Sequence, residues 1–249
     1  MDALYYLYMA EVRIPHGSDL LPSDVADSGM LNKLRAAVLG ANDGIVSTSS
    51  VLMGVAGATS DAHAIAIAGL AALIAGALSM AVGEYVSVSS QSDAEKAYIE
   101  GEKADLREMP EYELDELARE YMKHGVSRKT AQQVAKELTQ KDALKAHLRM
   151  HFNLDPDHIN SPWQAAIASL LSFTVGGLIP FLVIILTPTE YKLPATVGAV
   201  VVALVATGYF SAQAGGASRK RAVIRVVIGG LLAMGITYWV GVLFGTSVG

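Results

Sequence analysis

The chain has 249 residues, 52% of them hydrophobic and only 17% charged, with a formal net charge of −5. That balance excludes an ordinary soluble domain and a basic nucleic-acid binder, and it points to a membrane protein with one polar domain. With no cysteine, disulfides, iron–sulfur clusters and cysteine zinc sites are excluded; metal chemistry is left to carboxylate, imidazole, thioether or backbone oxygen.

Residues 1–33 lack the basic start of a signal peptide and are interrupted by Glu11, Arg13 and Pro15, so a short amphipathic or disordered lead is expected. Five stretches are predicted to cross a bilayer, which takes about 20 residues: 34–56, 64–88, 163–186, 194–214 and 223–244. The first carries Asn42 and Asp43 between Gly40 and Gly44. A carboxylate there costs roughly 2.5–3.5 kcal/mol on insertion scales, and a function must offset that cost. In the second span Met80 and Glu84 stand at i, i+4 and share a helix face.

No proline interrupts residues 64–109, so the second span is expected to continue as one rod into the polar stretch 89–161. Pro110 then breaks it, with a new helix predicted from Glu111. The segment KHGVS around Gly125 marks a helix end and restart. Another helix is predicted from Ser127 to about Phe152, broken near Gln140, and NLDPDHINSP links back to the third span.

Eighteen of the nineteen Lys and Arg residues lie before the first span, between the second and third, or around the fourth-to-fifth connection; Lys192 alone lies on the other side. By the positive-inside rule the N-terminus and the large loop are cytoplasmic and the C-terminus is outside. The expected fold is therefore all-α: five transmembrane helices plus a cytoplasmic helical metal-binding domain, divided as 1–33, 34–88, 89–161 and 162–244.

The metal-binding expectation rests on the loop's acids. Eleven lie between Asp93 and Glu120 against four basic residues, leaving about −7. A solvated, salt-bridged helix face is the simpler reading of such a stretch. The spacing offers another. Glu102 and Asp105 share a face at i, i+3, and Glu113 and Glu116 repeat that spacing after the Met109–Pro110 break. If both pairs point inward they form a hard, oxygen-rich site for a divalent cation. His147, Met150 and His151 offer i, i+3 and i, i+4 donors from a third helix; ordinary helix packing is the alternative for these three.

The stretches LRAAVLGANDGIVSTSSVLMGVAGA, ALSMAVGEYVSVSSQSDAEKA, PWQAAIASLLSFTVGGLIP and RVVIGGLLAMGITYWVG together resemble the vacuolar iron transporter family, with all five spans in order. The resemblance implies a homodimer of five-helix protomers that moves Fe2+ out of the cytoplasm in exchange for protons. It assigns a pathway role to Asp43, preceded by Asn42, and to Met80 and Glu84. It maps the family's cytoplasmic metal ligands onto Glu102, Asp105, Glu113, Glu116 and Met150. At the last ligand position many relatives have an acid; this chain has His151, either a substitute ligand or a weaker corner. Asp105 in place of a longer Glu is a milder departure.

A desolvated carboxyl keeps its proton until a cation displaces it, so proton-for-metal exchange at Asp43 is the expected mechanism. The thioether of Met80 favours Fe2+, Co2+ or Zn2+ over magnesium and calcium. Mn2+ is the nearest rival substrate, and a membrane metal sensor that transports nothing is the rival function. A ferritin-like di-iron enzyme does not fit: its Glu-x-x-His pairs are missing from the loop, and Glu120 to His124 is one residue too long. The expected setting is a prokaryotic plasma membrane, or a vacuolar membrane in a eukaryote.

Overall fold

The structure, a computed structural model, describes residues 28–157 and 160–248. The predicted N-terminal lead therefore lies outside the described residues up to position 27. Within them all regular structure is helical: α1 (Ser28–Ala58), α2 (Ala62–Glu108), α3 (Pro110–Lys123), α4 (Arg128–Phe152), α5 (Pro162–Leu186), a short 3-10 turn (Thr189–Tyr191), α6 (Lys192–Ala214) and α7 (Arg219–Val248).

The helix ends follow from local chemistry. Asp61 caps α2 by accepting the His63 backbone N–H at 2.9 Å. Pro110 occupies the first position of α3, where a missing N–H is harmless. Gly125 takes φ +87° between α3 and α4. Asn153 ends α4 in the left-handed region while the Leu154 N–H reaches back to the Leu148 carbonyl at 3.0 Å.

Among the described residues four stretches are long and apolar enough to cross a membrane: α2, α5, Thr189–Gln213 and Arg219–Gly245. α1 is not among them, because Asn42, Asp43 and the polar run from Ser47 to Ser50 dilute its hydropathy. The predicted continuation of the second span is found: α2 runs 47 residues unbroken.

The chain divides into two compact units. One comprises the described residues up to Ala77 with those from Leu171 onward. Here α1 packs on α6 and α7, and α6 on α7, around Ile45, Met53, Val200, Leu204 and Met234. Backbones touch where glycines allow it. A Cβ added at Gly44 would lie 2.1 Å from the Phe173 carbonyl oxygen of α5, and one at Gly241 of α7 would lie 1.8 Å from the Gly54 carbonyl oxygen of α1. Such small-residue contacts drive association where lipid removes the hydrophobic incentive. Thr196, Thr207 and Thr237 donate their hydroxyls to carbonyls one turn back, so they carry no unpaired polar group into the interior. Large apolar side chains such as Val175, Leu186, Leu232 and Phe244 point outward, an arrangement suited to lipid and not to water.

The second unit is Leu78–Leu170. α3 packs on α4 through Leu117, Ala118, Ala131 and Ala135, and Tyr98 of α2 stacks on Phe152 of α4 with ring centroids 4.6 Å apart. The break expected near Gln140 falls at Asp142, whose extended backbone (φ −166°, ψ 92°) interrupts α4. The Asp142 carboxylate accepts the Lys145 backbone N–H at 2.9 Å and so caps the restarted segment.

Candidate functional site

The second unit brings three ionisable side chains together from three helices. Glu102 lies near the end of α2, six residues before the break at Glu108. Glu113 lies in the first turn of α3, just beyond that break. His147 lies in the segment of α4 that Asp142 restarts. One donor atom from each lies within 4.8 Å of the others. His147 is fully buried, and Glu102 and Glu113 are 8% and 5% exposed. Among the described residues this is the one group of three or more such donors within ligand reach.

The Nδ1 atom of His147 stands 2.9 Å from Glu102 Oε1 and 3.4 Å from Glu113 Oε2. These are approaches and not hydrogen bonds: neither His147 nitrogen nor Glu102 Oε1 has a hydrogen-bond partner among the described residues. Nor is this an ordinary ion pair. Burial, helped by His151, pushes the His147 imidazole down to about 4, so it is neutral at physiological pH. Burial also raises both glutamates above the usual carboxylate range, with Glu113 adding to the effect on Glu102, and Glu116 and Asp105 to that on Glu113. Two like charges at such separations repel by roughly 3 kcal/mol at an effective dielectric of 20. A neutral imidazole does not cancel that repulsion; a divalent cation or protons would.

The other predicted loop residues surround this group. Asp105 is exposed and Glu116 half-buried, and both act electrostatically on Glu102 and Glu113. The His151 ring centre is 5.5 Å from that of His147, and its buried Nε2 has no hydrogen-bond partner among the described residues. Met150 is placed differently: it packs against the apolar cluster formed by α3 and α4. Sequence spacing offered His147 equally with Met150 and His151, and the structure puts His147 at the centre of the acids.

In the first unit Asp43 is exposed on the chain's surface, and its Oδ1 accepts a hydrogen bond from Ser47 Oγ at 2.8 Å. The i, i+4 spacing of Asp43 and Ser47 could have revealed that partner. Asn42 is half-buried, and its Oδ1 has no hydrogen-bond partner among the described residues. Met80 and Glu84, at the start of the second unit, are both half-buried.

Comparison with known proteins bears on what this chemistry serves. The profile of the VIT family matches residues 34–242. A vacuolar iron transporter of Acanthamoeba castellanii is 43% identical over 216 residues, covering 86% of this chain and 80% of that protein. Vacuolar iron transporter homolog 4 of Arabidopsis thaliana is 37% identical, covering 82% and 80%. Vacuolar iron transporter homolog 5 of Oryza sativa subsp. japonica is 36% identical, covering 87% and 82%.

Proposed function

The chain belongs to the VIT family, whose members are transporters and not enzymes, and from that premise we propose that it carries ferrous iron out of the cytoplasm across a membrane in exchange for protons. The observation that carries this reading is the pair of buried carboxyls, Glu102 and Glu113, drawn together around a buried histidine. The printed names of the relatives support iron as the ion.

In this reading α1 is the fifth span, added to the four apolar enough on their own. The N-terminus and the polar helices are cytoplasmic, and the C-terminus is outside. Glu102, Asp105, Glu113 and Glu116, joined by Met150 and His151, raise the local concentration of metal. Glu84, Met80, Asn42 and Asp43 form the pathway, with Asp43 exchanging its proton for the ion. The exposure of Asp43 on the isolated chain supports a homodimer in which a second copy covers it.

The test is a flux panel in proteoliposomes with Fe2+, Mn2+, Co2+ and Zn2+, with and without a pH gradient. Iron flux that rises with the gradient is expected. Binding without movement of any ion would favour a metal sensor, and manganese flux exceeding iron flux would favour a manganese exporter.

A further inference from the structure

We propose that His147 Nδ1 is a direct metal ligand, making the site of Glu102 and Glu113 a mixed nitrogen–oxygen one that prefers Fe2+, Co2+ and Zn2+ to Mn2+, Mg2+ and Ca2+. The inference rests on the reading that the loop gathers metal, and it names what this chain's third helix contributes.

Three observations carry it. The first is spacing. Metal–oxygen and metal–nitrogen bonds of about 2.1 Å put neighbouring ligand atoms of an octahedral ion about 3.0 Å apart. His147 Nδ1 lies 2.9 Å and 3.4 Å from oxygens of Glu102 and Glu113, the edges of such a polyhedron.

The second is burial without partners. His147 is 0% exposed, and both its nitrogens lack hydrogen bonds among the described residues. A buried polar atom left unpaired is expensive, and a residue present only for packing would be apolar, as neighbouring Leu148 is. A bond from Nδ1 to a cation shared with the two carboxylates would offset that cost.

The third is which donor α4 turns toward the acids. Met150 packs into the apolar cluster with Leu117 and Ala118. The donor that α4 is seen to bring up to both carboxylates is the His147 nitrogen. Carboxylates and water suit Mg2+, Ca2+ and Mn2+, whereas imidazole adds most for the later first-row ions.

The experiment uses the full chain in nanodiscs, stripped with a chelator and reloaded. At saturating Mn2+, pulsed EPR of the wild type is expected to show 14N modulation from a coordinated imidazole. His147→Gln, which keeps size and neutrality, should lose that modulation, and His151→Gln should keep it. In titrations His147→Gln should weaken Co2+ binding on the order of tenfold or more, while Mn2+ affinity stays within about threefold. Unchanged helical circular dichroism and monodispersity establish that the variant is folded.

Modulation that persists in His147→Gln, or equal losses of Co2+ and Mn2+ affinity, would overturn the proposal. The double variant Glu102→Gln/Glu113→Gln separates the two levels. If it abolishes loop binding while His147→Gln changes nothing, the histidine assignment alone fails. If it leaves binding intact, the gathering site fails and the histidine assignment with it.

Discussion

Asp43 in the first unit lies on the chain's surface and accepts a hydrogen bond from Ser47, whereas Glu102 and Glu113 in the second are drawn inside beside a neutral histidine. The difference follows from how each interior is filled. Around α1, glycines bring backbones into contact: Gly44 meets α5 and Gly54 meets α7. Backbone contact of this kind occupies the inner side of α1 at Gly44, next to the exposed Asp43. The α2, α3 and α4 segments of the second unit meet through side chains, and at one place those side chains are acids and an imidazole. An ion can be held there.

This contrast can be broken most severely at Gly44. A methyl added there meets the Phe173 carbonyl oxygen and the Gly177 nitrogen, backbone atoms that cannot swing aside. Gly44→Ala is expected to destabilise the protein by about 1–3 kcal/mol or more, read as a lower midpoint of thermal unfolding in nanodiscs. Gly83→Ala, with nothing within 4 Å of the added carbon, is the control and should remain near wild type. Equal midpoints for the two variants would refute backbone contact in the first unit.

A smaller effect of opposite sign is expected at Glu113. Its carboxyl is raised in the folded protein by burial and by Glu116 and Asp105. A raised carboxyl favours folding below the unfolded value, and that contribution is lost as pH rises through the folded value. The metal-stripped protein therefore loses stability as pH rises, and Glu113→Gln, which cannot ionise, should flatten that dependence and raise the unfolding midpoint at the alkaline end. The same variant should gain less stability than wild type when metal is added. A lower midpoint for stripped Glu113→Gln would mean that the carboxylate is structural.

The smallest effect concerns Asp155, an acid that is paired. Arg149 bonds it at 2.6 Å and Lys145 stands 3.2 Å away, and these partners hold its carboxyl well below the usual range. A depressed carboxyl stabilises above the unfolded value, and the stabilisation fades as pH falls toward the folded one. Asp155→Asn should cost about 0.5–1 kcal/mol at neutral pH, and the gap from wild type should narrow on acidification. A gap independent of pH would show that the pairing contributes nothing.

Much of the fold was legible because punctuation and hydropathy agree. Pro110, Gly125 and Asn153 mark helix ends that the structure keeps. The stretches expected at 163–186 and 194–214 lie within α5 and α6. The break in α4 was displaced from Gln140 to Asp142 because aspartate caps a restarted helix better than glutamine does.

The candidate site was legible only in outline. The i, i+3 acids could be read, but not which member of each pair would be buried. Helical phase explains the ambiguity among the third-helix donors. At about 100° per residue, Met150 lies about 60° to one side of His147 and His151 about 40° to the other. All three share a broad face. The packing of Leu117 and Ala118 against α4 decides that Met150 joins the apolar cluster, and single-residue spacing does not encode that contact.

The most direct test of metal-for-proton exchange at Asp43 compares binding and flux in one preparation. Asp43→Asn in proteoliposomes should bind Fe2+ through Glu102 and Glu113 as the wild type does, yet move none above background under an imposed pH gradient. Wild-type flux from that variant would contradict the mechanism.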